Sequence, residues 1–228
     1  MRYENVTEGI FISRPNRFIA EVTVNGKKAI CHVKNTGRCR EILTEGARVL
    51  LSRSSDPSRR TEYSLIAVYK GNTLINIDSQ APNKVFYEWV RDGFFVNGLT
   101  LIRPETVYGD SRLDLYAEAE GRRIFAEVKG VTLEENGVAM FPDAPTERGL
   151  KHVRELIRAV NEGYEAYLVF VIQMSGCRIF TPNKATDPAL SSAIREAYDS
   201  GVKILCLSCD VTEDSLKISD KPYTLFTI

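Results

Sequence analysis

Hydrophobic and polar positions alternate over the first eighty residues in short runs broken by turn residues. Ile10-Phe11-Ile12 and Phe18-Ile19-Ala20-Glu21-Val22-Thr23-Val24 read as strands. Asn25-Gly26 between them and Ala29 to Val33 is the strongest short-range hairpin signal. Ala47 to Ser52 reads as a further strand, and Tyr63 to Tyr69 with Thr73 to Asp78 as a second hairpin across Gly71-Asn72. About five short strands with no helix of length suit a small barrel such as an OB-fold, which binds single strands through one open face and its loops.

The pattern changes at Ser79-Gln80-Ala81-Pro82, where a proline ends the barrel. We therefore expect an OB-fold-like five-stranded barrel over 1–82 and an α/β domain over 83–228. Asn83 opens a helix with Val85, Phe86, Trp89 and Val90 at helical spacing, closed near Gly93. A three-stranded meander is expected next, from segments 112–119 and 123–130 and a third strand near Val138 to Phe141. Thr146 caps a helix to about Glu162 whose Leu150, Val153, Leu156, Ile157 and Val160 form the buried face. Ala166 to Ile172 and Val202 to Leu207 are continuous apolar runs on either side of a helix capped by Asp187-Pro188. That rhythm implies parallel pairing with right-handed crossovers, hence a mixed sheet.

The candidate chemistry lies in the meander. Strand alternation puts Glu127 and Lys129 on one face and Ala126 and Val128 on the other. If Gly121 turns the chain, Asp114 approaches Glu127, giving two hard oxygen ligands for Mg2+ or Mn2+ beside one ammonium, with the Val128 carbonyl as a further ligand. Such a set suits phosphodiester hydrolysis, Lys129 orienting the attacking water. The same residues on an exposed strand could instead be a solvated face or a cross-strand ion pair.

The surrounding blocks are longer and more specific. Asn16-Arg17-Phe18, Asn35-Thr36-Gly37-Arg38, Tyr108-Gly109-Asp110-Ser111-Arg112, Glu127-Val128-Lys129-Gly130-Val131-Thr132-Leu133 and the run from Phe141-Pro142-Asp143 to Lys151-His152 resemble the sugar fermentation stimulation protein A family. The resemblance thins after about Gln173. It implies an amino-terminal OB-fold followed by a restriction-endonuclease-like domain of the PD-(D/E)xK type, with nucleic-acid binding as the assigned activity. It also makes Glu88, an acid on the first helix, a candidate metal ligand, and Glu105 is carried beside it; both rank below Asp114.

Charge adds to this picture although the net is zero. Residues 1–83 hold 13 Lys+Arg against 8 Asp+Glu, a net +5, and the remainder is −5. A basic first domain gains affinity for phosphates by counterion release, unless it is only a solvated basic face. The turn at Asn35, Thr36, Gly37 and Arg38 offers amides and a guanidinium to a phosphate, although Thr36 serves equally as a helix N-cap. Arg17 and Arg38 are carried as strand anchors on the barrel, and Arg112, Arg148 and Lys151 as phosphate contacts. Arg148, Lys151 and His152 stand in the first turns of a helix, where cations gain nothing from the helix dipole, so a bound anion would explain them. Gln173 follows a buried strand, where sites of this kind often place a polar side chain.

An odd count of five cysteines argues against a secreted disulfide framework, and Cys206-Leu207-Ser208-Cys209 lacks the other half of a zinc site. No apolar run is long enough to span a bilayer, and Met1 to Asn5 lacks the apolar core of a signal peptide, so a cytoplasmic location is expected. The expected function is a metal-dependent nuclease acting on DNA or RNA, single strands included. The rival is a DNA-binding regulator linked to sugar metabolism that does not cut. Acid/base work on a sugar would leave Lys129 and the basic barrel without a role.

Overall fold

Asn25 and Gly26 take φ of 50° and 74°, the paired left-handed conformations that let a two-residue loop follow the twist of its strands. The computed structural model describes residues 1–35, 37 and 39–228. Two expected contact residues, Thr36 and Arg38, lie outside the described residues.

The turn joins β2 (Ile19–Val24) to β3 (Lys27–Val33), and β2 pairs on its other side with β1 (Val6–Asn16), which extends well beyond the expected Ile10–Ile12. β4 (Arg48–Arg53) pairs with β1 and with β5 (Tyr63–Lys70). β5 then meets β3 in parallel, Cys31 opposite Tyr63 and Val33 opposite Leu65, which closes five strands into a barrel. β6 (Thr73–Asn76) adds to β5 as a hairpin. Alternate residues of β2, Ala20, Val22 and Val24, point inward with Cys31, Val33, Val49, Leu51 and Leu65, so period-2 patterning makes the barrel core.

α1 (Ala81–Arg91) begins two residues before the expected Asn83, with Pro82 in its first turn, where the missing N–H costs nothing. β7 (Leu99–Tyr108), β8 (Ser111–Ala119) and β9 (Arg122–Val131) form the meander. Its outer strand is β7, not the expected segment near Val138. Pro104 and an irregular polar pattern conceal β7, and an edge strand tolerates both. β10 (Leu133–Glu135) and β11 (Val138–Phe141) instead belong to a separate four-stranded sheet.

α2 (Glu147–Asn161) carries its Thr146 cap, whose Oγ1 accepts from the Gly149 N–H at 3.0 Å. β12 (Glu165–Ile172) pairs in parallel with β9 throughout. β13 (Ile179–Pro182) joins β11 in the small sheet, α3 (Pro188–Asp199) follows, and β14 (Lys203–Val211) returns to pair in parallel with β12. β15 (Leu216–Tyr223) closes the large sheet and β16 (Leu225–Phe226) the small one. The large sheet therefore runs β15-β14-β12-β9-β8-β7. α1 covers one face through Val85, Phe86 and Val90 against Val128, Val169 and Val171. α2 and α3 cover the other through Val153, Leu156, Leu190 and Ile194. A strand covered on both sides must be apolar throughout, and only Glu165 of β12 is not buried. Among the described residues no helix is long and apolar enough to cross a membrane.

The two parts meet through buried polar groups. Gln173, 1 % exposed, donates through Nε2 to Asn76 Oδ1 at 2.9 Å and to the Asp78 carbonyl at 3.1 Å. Asp78 Oδ2 accepts from Lys34 Nζ at 2.8 Å. Gly130 lets these segments close, since a Cβ there would lie 2.4 Å from Gln173 Oε1 and 2.7 Å from Pro82 Cγ.

Candidate metal centre and nucleic-acid interface

The β8–β9 ladder ends at Leu115 opposite Ala126, and beyond it the strands part. Asp114 is the first residue past the split. Its Oδ2 takes the Val128 N–H at 2.7 Å and its Oδ1 accepts from Asn83 Nδ2 of α1, also at 2.7 Å. Burial and the negative charge of Glu127 push its pKa up to about 6, against the pull of the Val128 N–H, Lys129 and Asn83.

Glu127 is 1 % exposed. Its Oε1 accepts from Lys129 Nζ at 2.5 Å and is in direct contact with His152 Nδ1 of α2. Burial alone would raise this carboxyl, but the His152 hydrogen bond and the Lys129 charge together hold it below the usual carboxylate range. Both donors converge on Oε1. Oε2 is buried and has no partner. A carboxylate oxygen cannot donate, so only a proton donor or a cation satisfies it.

His152 is 6 % exposed, and its Nε2 faces Arg148 Nε at 3.5 Å. Arginine can only donate, so Nε2 accepts and Nδ1 carries the proton that Glu127 receives. The i,i+4 spacing of Arg148 and His152 shows in the sequence, but their target does not. Asn83 was not among the expected site residues, and His152, expected with Arg148 and Lys151 beside a bound anion, instead contacts the Glu127 carboxylate. Gln173, expected at the site, serves the junction with the barrel.

The fit to a hard divalent cation rests on this donor set. Asp114 and Glu127 supply oxygens only, and Mg2+ is commonly held by one or two carboxylates with water and substrate phosphate. Among the described residues no group of three or more His, Cys, Asp and Glu side chains is arranged to hold a metal ion by itself, so the pair would need water or substrate oxygens to complete a shell, and all five cysteines are free thiols. Glu88 and Glu105 are not brought to the pair. Glu88 Oε2 accepts from the Met1 amino group at 2.8 Å, and Glu105, on the edge strand, faces solvent with Arg112 at 3.3 Å. Val128 meets Asp114 through its N–H.

Of the expected phosphate contacts, Arg148 adjoins the centre through His152. Lys151 Nζ is tied to the Asp110 carbonyl at 2.9 Å, and Arg112 is exposed. On the barrel, Arg17 is exposed at the tip of the β1–β2 hairpin. Asn35 is turned inward, its Oδ1 accepting the Gly37 N–H at 2.7 Å. Arg14, absent from the expected set, donates to the carbonyls of Arg17, Asn35 and Gly37 at 2.8, 2.6 and 2.7 Å, binding the hairpin tip to the loop.

A barrel joined to an α/β sheet with two carboxylates and a lysine at a strand split defines a two-domain protein of the OB and restriction-endonuclease-like classes. The family model described as the SfsA N-terminal OB domain matches residues 12–77, and that described as the sugar fermentation stimulation protein RE domain matches residues 80–215. The chain belongs to the sugar fermentation stimulation protein A family. It is 58 % identical over 220 residues to the sugar fermentation stimulation protein homolog of Desulfitobacterium hafniense strain Y51, covering 96 % of each chain. It is 51 % identical over 218 residues to the homolog of Ruminiclostridium cellulolyticum, again covering 96 % of each. The structure of Pyrococcus furiosus SfsA, solved in complex with Ca2+, superposes with a TM-score of 0.90 at 27 % identity, covering 100 % of this chain and 98 % of that one.

Proposed function

We propose that the protein is a cytoplasmic, divalent-cation-dependent nuclease hydrolysing phosphodiester bonds of DNA or RNA, with residues 1–82 gripping the nucleic acid and residues 83–228 cutting it. The observation that carries this reading is Glu127 Oε2, a buried acceptor without a donor beside a second carboxylate. Asp114 and Glu127 would hold Mg2+ or Mn2+, with Val128 as main-chain support, and the Ca2+ complex of the Pyrococcus furiosus relative supports a hard divalent ion. When bound, such an ion polarises a phosphoryl oxygen and makes a water molecule a stronger acid.

The chain's own groups do the rest. Lys129, fixed by its ion pair with Glu127, orients the attacking water. Its charge offsets the negative charge that grows as the water oxygen bonds to phosphorus and the bridging P–O bond breaks. His152 holds the Glu127 carboxylate through Oε1, which leaves Oε2 as the oxygen that would meet the cation. Arg112, Arg148 and Lys151 hold flanking phosphates, and Arg17 and Arg38 anchor the strand on the barrel.

The test incubates labelled single- and double-stranded DNA and RNA with Mg2+, with Mn2+ and with chelator, beside Glu127→Ala. Metal-dependent product that disappears in the variant is the expected result. Binding without product under every condition would overturn cleavage and leave a nucleic-acid-binding protein.

A further inference from the structure

The helices that cover opposite faces of the large sheet each send one polar side chain to one carboxylate of the candidate centre. From α2 the His152 ring meets Glu127, and from α1 the exposed Asn83 amide meets Asp114 Oδ1 at 2.7 Å. An ionised carboxylate only accepts, so Asn83 must turn Nδ2 toward it, and the orientation of the amide is fixed.

We propose that Asn83 is the positioning residue for Asp114, holding its carboxylate in the orientation that takes a divalent cation; this rests on the cation-dependent reading above. Asp114 needs support from outside its strand because it lies past the end of the β8–β9 ladder, where pairing to β9 no longer fixes it. The Val128 N–H holds Oδ2, and one bond leaves the carboxylate free to swing about it. Asn83 supplies the second point, from a different element. Its own seat is firm. Ala81 and Pro82 are buried, and Pro82 packs so closely on β9 that a Cβ at Gly130 would lie 2.7 Å from its Cγ. The start of α1 is therefore set against the strand that carries Glu127 and Lys129.

The amide is not spent on its own helix. The N-cap of α1 is Gln80, which makes no side-chain cap bond, and Asn83 stands in the first turn with its hydrogen bond directed at Asp114. An acidic residue in that turn would gain from the helix dipole, yet α1 has none there. A carboxylate in place of the amide would oppose the Asp114 charge, whereas the amide gives it a donor. α1 thus serves the centre through Asn83 and not through Glu88, whose partner is the Met1 amino group. Groups that hold a metal ligand in this way set its orientation before the ion arrives.

The experiment titrates Mn2+ into the full chain by calorimetry, follows melting in chelator, and follows single-turnover cleavage of labelled DNA and RNA at rising Mn2+. Asn83→Leu keeps the size of the side chain and removes the donor. It is expected to weaken Mn2+ binding about ten- to a hundredfold, the range for groups that orient a metal ligand. Its melting temperature in chelator is expected to move by no more than about 4 °C, since one exposed hydrogen bond is lost. Asn83→Gln carries the donor on a longer stem and is expected to recover part of the affinity. Saturating Mn2+ is expected to return Asn83→Leu toward the wild-type rate. Should Asn83→Leu fail to fold, Asn83→Ala reads the same loss. Unchanged Mn2+ affinity in a folded Leu or Ala variant, or a Gln variant no better than Leu, would overturn the inference and leave the nuclease reading standing. Mn2+ affinity that falls in Asn83→Leu while even the wild type cuts no substrate sinks only cleavage. A wild type that binds no Mn2+ sinks both.

Discussion

The imidazole of His152 and the carboxylate of Glu127, 25 residues apart in the chain, are in direct hydrogen-bond contact inside the α2–β9 interface. The bond leaves one Glu127 oxygen saturated and the other bare. Groups that orient a metal ligand in this way commonly contribute ten- to a hundredfold in metal affinity. His152→Phe fills the space without a donor and is expected to weaken Mn2+ binding by about that factor in a calorimetric titration. His152→Asn, whose amide can stand where Nδ1–H stood, is expected to recover part of the loss. Unaltered affinity in the Phe variant would limit His152 to packing.

Asp114 gives the metal-free protein a pH dependence of definite sign. Its pKa rises from 3.8 to about 6 on folding, so the folded state holds the extra proton between those values. Stability from this group is complete below about pH 4 and is lost as the pH rises through 6. The full shift corresponds to about 3 kcal/mol, and partial exposure brings the expected effect to about 1–2 kcal/mol. Asp114→Asn keeps an acceptor for the Val128 N–H and stays neutral. In chelator its Tm is therefore expected above that of the wild type at pH 7.5, the gap closing by pH 4. Saturating Mg2+ is expected to stabilise the wild type alone, because only its carboxylate pair binds. A gap that widens toward low pH would refute the assignment.

The parts of this arrangement visible in the sequence are the local ones. The shared face of Glu127 and Lys129 follows from strand period, and the hairpin at Asn25-Gly26 from turn chemistry. The approach of Asp114 to Glu127 follows from a turn at Gly121, but its seat on the Val128 N–H does not, because that depends on where β8 leaves β9. Neither does the sheet to which Val138–Phe141 belongs, since its parallel partner β13 lies forty residues farther on and nothing local selects it. The junction is more remote still. Gln173 and the Asp78 carbonyl are 95 residues apart, and each looks like a loop residue alone. Arg148 and His152 announce a shared helix face, but their purpose appears only when α2 is laid on β9.

That junction carries a stability prediction of its own. The Asp78 side chain is 2 % exposed, with Lys34 as its cationic partner at 2.8 Å. Lys34→Met leaves a buried carboxylate with only the Gln80 N–H at 3.0 Å and the Tyr3 hydroxyl at 3.3 Å. Removing one partner of such a pair costs about 3–5 kcal/mol, and the remaining donors favour the lower end. Urea denaturation is expected to show a lower midpoint with unchanged slope, and Lys34→Met/Asp78→Asn to regain most of it, since the double variant buries no charge. A double variant no more stable than the single would place the cost in lost packing by the lysine stem instead.

Lys129 separates catalysis from metal binding. Its ammonium sits 2.5 Å from Glu127 Oε1, so it competes for the charge that a cation would use while supplying the positive field that the transition state needs. Removing a preorganised electrostatic group of this kind costs about 10²–10³ in kcat. Lys129→Met keeps the length of the stem and removes the charge. It is therefore expected to lose at least a hundredfold in single-turnover cleavage while binding Mn2+ as tightly as the wild type or more so, because Glu127 is relieved of a competing cation. Glu127→Gln is expected to lose both cleavage and metal. If Lys129→Met lost metal affinity in step with rate, the lysine would be holding the carboxylate in place rather than acting on the phosphate, and the nucleophile would need another partner.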